Sequence, residues 1–168
     1  MKNVKETIMN GSHIPNGLSK DYADEMAVKL NGLLSSLQVL YANVRGYHWN
    51  VTGAQFFTLH DKFEELYNDL SLKADEVAER VLALDHQPAY RLSEFVSSSS
   101  VGESSATGEA AVMISELISS LRILLQLERQ IIKLAEAHND VTTADLMTGY
   151  AMEQEKLIWM YGAWLERS

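Results

Sequence analysis

Apolar residues recur at three- and four-residue steps from about residue 21 to 47: Met26, Leu30, Leu33, Leu34, Leu37, Leu40, Tyr41 and Val44. That period is one face of an α-helix. A second run, about 54–84, repeats it with Phe63, Leu66, Leu70, Ala74, Val77 and Val81. Asp85-His86-Gln87-Pro88 ends this run, because Pro cannot continue a helix and pushes its predecessor out of the α region. A third helix is expected over about 107–137, with Leu117, Leu121, Leu124 and Ile131 on its dry face and Asn139 as its stop. On it, Glu116 and Glu128 are expected to face solvent. The fourth begins at Thr142, where Thr142-x-x-Asp145 reads as a capping box, and carries Met147, Tyr150, Leu157, Tyr161 and Trp164. Leu92-Ser93-Glu94-Phe95-Val96 predicts a short helix between the second and third, followed by a flexible Ser-rich loop over 97–105. Residues 1–20 have no sustained period and read as an arm. The fold class is all-α: an up-down bundle of four long helices over 21–168, with the long connection between the second and third.

The second helix has one face too many. At roughly 100° per residue, the apolar stripe lies opposite Lys62, Glu65, Asp69, Lys73, Glu76 and Arg80, which read as its wet side. His60, Glu64, Asp75 and Glu79 occupy a separate arc beside the stripe. Within it, His60/Glu64 and Asp75/Glu79 are both i, i+4 pairs, each able to present two ligands together. Glu64 and Asp75 are about 16 Å apart along the helix, too far to share one metal ion. The positions are palindromic, however, about a point between Asp69 and Leu70. An antiparallel copy of the helix, packed across a two-fold axis there, brings His60/Glu64 of one chain to Glu79/Asp75 of the other. Two identical metal sites between two chains are therefore expected. Imidazole with carboxylate, and no thiolate, suits iron, manganese or zinc.

The residues His48-Trp49-Asn50, Gly53, Phe56, His60, Glu64, Asp75-Glu76 and Ala78-Glu79-Arg80 resemble the signature of the Dps mini-ferritins, DNA-binding proteins from starved cells. Thr143-Ala144-Asp145 and Trp159 extend the likeness over almost the whole chain. The resemblance implies a ferritin-like four-helix subunit with a short helix in its long connection. It also implies a hollow dodecamer with ferroxidase sites at the dimer two-fold. It sets His48, His60 and Glu64 of one chain opposite Asp75 and Glu79 of its neighbour. On its own, His48 beside Trp49 reads as core packing; the resemblance makes it a ligand and Trp49 a shield for the metal. Many members have Asp where this chain has Glu64, whose longer arm keeps the carboxylate and bears on the weaker of two iron positions. Asp140 and Asp145 fall where the family closes its three-fold pores, as a candidate ring of carboxylates for cation entry. The activity implied is oxidation of Fe²⁺ by H₂O₂ or O₂, with storage of the ferric product.

Composition narrows the alternatives. Cysteine is absent, which excludes disulfides and thiolate metal sites. No Glu-x-x-His occurs, the motif that ordinary di-iron bundles use to build a site inside one subunit. A net charge of −9 disfavours DNA binding by the body of the protein, which leaves a nucleoid-coating role to the arm, where Lys2, Lys5 and Lys20 are spread out and Glu6 interrupts them. No apolar run of membrane-spanning length and no secretory h-region are evident, so a cytoplasmic location is expected.

Overall fold

Each helix begins and ends where the chain supplies a chemical reason. The computed structural model describes residues 13–166. Helix α1 is Lys20–Asn50, opened by Ser19, whose hydroxyl accepts the Tyr22 N–H at 3.3 Å. A tight turn follows in which Gly53 takes φ +95°, a conformation costly for any side chain with a Cβ. Helix α2 is Phe56–Ala83, and Asp85 stands just past its end in the left-handed region at φ +63°. Helix α3, Leu92–Ser98, starts with the Glu94 carboxylate accepting the Arg91 N–H at 3.1 Å. Helices α4, Ala110–Ala137, and α5, Val141–Leu165, are joined through Asn139 at φ +58°.

Helices α1 and α2 form one antiparallel pair, α4 and α5 the other, and the two pairs enclose a single core. Leu30, Leu33, Leu37, Leu40 and Val44 of α1 meet Phe63, Val77 and Val81 of α2 and Met113, Leu117 and Leu124 of α4, all completely buried. Helix α3 packs on α1 through Phe95, within the connection that returns the chain to the other end of the bundle. By length and composition α4 qualifies as membrane-spanning, contrary to the expectation from sequence. Its apolar stripe faces the bundle core.

Several expectations are corrected by what lies opposite each residue. Part of the expected arm 1–20 is packed on the bundle: Ile14 is buried in the core and Asn16 Nδ2 donates to the Ala83 carbonyl at 2.9 Å; residues 1–12, with Lys2, Lys5 and Glu6, lie outside the described residues. Lys20 is ion-paired with Asp24 at 2.7 Å. The Ser-rich loop is tethered, since Ser100 N donates to Ser36 Oγ at 3.0 Å and Ser104 N to Asn43 Oδ1 at 2.9 Å. Lys73, read as wet, is 5 % exposed and is held by Asp69 and Glu153. Glu128, expected in solvent, is fully buried and accepts a hydrogen bond from Gln154. Glu116 is half-buried, accepting from the Tyr47 hydroxyl at 3.1 Å and from Ser104.

The start of α5 differs most. Its cap is Asp140, not Thr142, and the carboxylate accepts the Thr143 N–H at 3.1 Å. Asp140 is only 4 % exposed. Arg80 Nη2 donates to both its oxygens at 2.8 and 2.7 Å, Arg80 Nε donates to Thr143 Oγ1 at 2.7 Å, and the Tyr22 hydroxyl donates to Oδ2 at 2.6 Å. Three helices are pinned at one carboxylate. The side chain expected to line a pore is therefore committed to the interior of its own subunit, whereas Asp145 is exposed.

Burial opposes ionisation of Asp140, but hydrogen bonds from Thr143, Tyr22 and Arg80 together hold its pKa below the usual carboxylate value. Its contribution is therefore present above the unfolded pKa of about 3.9 and lost as pH falls through the folded one. Arg80→Ala should lower the unfolding free energy by about 3–5 kcal/mol at neutral pH, the cost of stranding a buried charge. Denaturant titration checks this, and the gap to wild type should shrink in acid.

Candidate metal site

Helix α1 delivers His48 at its last turn, and the Gly53 turn brings the first turn of α2 back beside it. The two imidazoles are locked by crossed hydrogen bonds: His48 Nδ1 lies 2.8 Å from the His60 carbonyl, and His60 Nδ1 lies 2.9 Å from the His48 carbonyl. A carbonyl can only accept, so both Nδ1 atoms carry the proton. In each neutral ring the lone pair is then on Nε2. The rings stack with centroids 3.7 Å apart, and Phe56 stacks on the outer side of His60 at 5.1 Å. Metal-binding histidines are ordinarily oriented in this way, with the second nitrogen donating to a carbonyl.

Glu64 lies one turn beyond His60. Its Oε1 accepts a hydrogen bond from the Tyr67 hydroxyl at 3.1 Å, and the Tyr67 ring packs edge-on against His48 at 5.4 Å. Burial, and then the Glu64 carboxylate, raise the Tyr67 phenol above its ordinary pKa, so it remains a donor at neutral pH. Tyr67 thus joins Glu64 to the imidazole pair, a role the sequence reading missed. The available signal was its spacing, seven residues after His60 and three after Glu64, on the same side of the helix.

Asp75 and Glu79 do not join this group. Both are exposed, and neither has a hydrogen-bond or ion-pair partner among the described residues. No set of three or more His, Asp and Glu side chains in metal-holding geometry exists within the chain among those residues. Around the two carboxylates α2 also exposes Leu72 at 67 % and Leu82 at 59 %, and Phe57 at 82 % stands near its start. Apolar bulk and unpaired acids are thus open together along this stretch of α2. Trp49, expected to shield the metal, is 64 % exposed and stacks under Arg45 at 4.8 Å.

The all-α architecture, four long helices with a short one in the crossover, is the ferritin-like bundle. The family described as Ferritin-like domain matches residues 27–168. The chain is 46 % identical over 147 residues to an uncharacterized protein of Haemophilus influenzae, covering 88 % of this chain and 92 % of that one. It is 42 % identical over 148 residues to the DNA protection during starvation protein of Porphyromonas gingivalis, covering 88 % and 93 %. The crystal structure of the Dps protein of Vibrio cholerae O1 superposes with a TM-score of 0.90 at 42 % identity, covering 92 % and 97 %. That protein is described as a member of a broad superfamily of ferritin-like diiron-carboxylate proteins. The chain belongs to the Dps family.

Carboxylates without partners contribute nothing to holding the subunit together. Asp75→Ala with Glu79→Ala should leave the unfolding free energy within about 0.5 kcal/mol of wild type, read by denaturant titration.

Proposed function

We propose that this chain is the subunit of a dodecameric cage that oxidises Fe²⁺ and stores the ferric product, with its ferroxidase sites completed between two subunits. The observation carrying this reading is the crossed His48–His60 pair, which leaves two Nε2 lone pairs fixed and available beside Glu64. Asp75 and Glu79 supply the carboxylates that such a half-site lacks, and they stand free on the same exposed face of α2. Antiparallel packing about the midpoint of that helix brings the halves of two subunits together.

Iron is the substrate. Hard anionic carboxylates favour Fe³⁺ over Fe²⁺ and so promote loss of an electron, while neutral imidazoles complete the ligand set without adding charge. Asp75 and Glu79, with His48 from the facing subunit, hold the tighter ion; His60 and Glu64 hold the weaker. Two Fe²⁺ ions bound together give H₂O₂ its two electrons at once, and with two protons the oxygen leaves as water instead of hydroxyl radical. O₂ is the slower alternative oxidant, and Zn²⁺ or Mn²⁺ can occupy the same ligands. The Porphyromonas relative is named for DNA protection. With a net charge of −9, this chain gives that protection through removal of iron and peroxide in the cytoplasm rather than through coating of DNA.

Subunit mixing tests the shared site. Subunits carrying His48→Ala and His60→Ala are reassembled with subunits carrying Asp75→Ala and Glu79→Ala. Each population alone should lose peroxide-driven Fe²⁺ oxidation. Mixed dimers contain one site with all five ligands, so activity should return in part. Co-assembly with no recovery would establish sites contained within single chains.

Entry is assigned to Asp145 alone, since Asp140 is spent on Arg80. Asp145→Asn should slow iron uptake at low Fe²⁺, with the deficit shrinking at high Fe²⁺ where entry no longer limits the rate. Stopped-flow uptake on intact cages reads this.

A further inference from the structure

A polar layer interrupts the core halfway along the bundle, and the helix registers identify its members. The crossed His48–His60 bonds align α1 with α2; thirteen residues back from His48 and thirteen on from His60 stand Ser35 and Lys73. The Tyr47–Glu116 bond aligns α1 with α4; twelve residues back and twelve on stand Ser35 and Glu128. Gln154 of α5 donates to Glu128 directly. Each long helix thus contributes one polar residue at one level. All four are buried, with exposures of 0 % for Ser35 and Glu128, 2 % for Gln154 and 5 % for Lys73.

The hydrogen-bond inventory of this layer does not close if Glu128 is ionised. Lys73 has three N–H groups, and its ammonium meets the Asp69 carboxylate, the Glu153 carboxylate at 2.6 Å and the face of the Tyr150 ring at 5.4 Å. Arg129, next to Glu128 in sequence, points away to Glu155 at 2.8 Å. Gln154 Nε2 donates to Glu128 Oε1, which leaves Glu128 Oε2 and Gln154 Oε1 buried and without a partner; the Ser35 hydroxyl is orphaned too and bonds neither of them. The carboxylate and amide oxygens are acceptors only, and one proton placed between them reconciles the pair.

We infer that the layer is a proton-binding site: Glu128 is a neutral carboxylic acid whose Oε2–H donates to Gln154 Oε1, closing a cyclic pair that joins α4 to α5. The charges facing it agree with this. Burial pushes the Glu128 acid up to about 8, against the Gln154 hydrogen bond and the attraction of Lys73 on α2 and Arg129 on its own helix. From α5, Tyr150 contributes no positive charge and is itself tied to Glu76, and α1 faces the layer with the uncharged Ser35.

The sign of the linkage follows. The folded chain holds this proton more tightly than the unfolded chain, whose acid has the ordinary value of 4.5. Stability from the neutral pair is full below that value, falls as pH rises to about 8, and is flat beyond. Glu128→Gln keeps both hydrogen bonds at every pH, because its amide N–H stands where the acid carried O–H.

The test uses the assembled full-length protein. Infrared spectra of wild type at about pH 6 should contain a protonated-carboxyl carbonyl band that is absent from Glu128→Gln and disappears as pH rises through about 8. In parallel, the Tm of Glu128→Gln should draw ahead of wild type by several degrees between about pH 5 and 8, with a constant gap above. A wild-type spectrum without the band at about pH 6, or a Tm gap independent of pH, overturns the inference. If Glu128→Gln does not assemble, wild type labelled with ¹³C-glutamate is decisive by itself: a shifted band that titrates near 8 upholds the proton site, and its absence refutes it.

Discussion

One helix has to satisfy three surroundings at once, and most of the molecule follows from that constraint. A surface helix normally divides itself between core and water. Helix α2 gives Phe63, Leu70, Ala74, Val77 and Val81 to the core, and leaves Leu72, Asp75, Leu82 and Glu79 open on another side. Two of its cations are then anchored from the side of α5: Lys73 by Glu153, and Arg80 by Asp140 and Thr143. These links fix how far α2 can roll about its own axis. A small roll would carry the two free carboxylates off their face, so the buried ion pairs at one side aim the acids at the other.

The sequence disclosed whatever depends on position along a single helix. The periods located four long helices and the short one, and i, i+4 spacing picked out His60/Glu64 and Asp75/Glu79 as pairs. It misjudged side chains whose surroundings belong to another helix. Lys73 and Arg80 lie at angles that read as wet, yet α5 reaches them. Glu128 shares its helix with an apolar stripe and was placed in water for its charge, whereas Gln154 from α5 receives it inside. Asp140 is expected from the sequence at a pore because nothing local shows Arg80 arriving from sixty residues earlier. Angle is legible from periodicity; the identity of the neighbour across a gap is not.

Polar groups inside this bundle fall into two kinds. The Arg80–Asp140 contact is fully paired, with every carboxylate lone pair directed at a donor, and it holds three helices to one another. The Glu128–Gln154 contact is satisfied only in one protonation state. Buried networks are stabilising when complete and costly when one member is missing. The first kind resists change over the neutral range, and the second responds to it.

The crossed imidazole bonds span only twelve residues of chain. Closing so short a segment costs little loop entropy, so the half-site belongs to the contacts that form as soon as α1 and α2 fold into a hairpin. The Arg80–Asp140 clamp must wait until α5 has been made and brought home. During synthesis the His48–His60 pairing can therefore precede the body that supports it. The paired imidazoles are a local motif of the first half of the chain, and the second half serves to keep that motif folded.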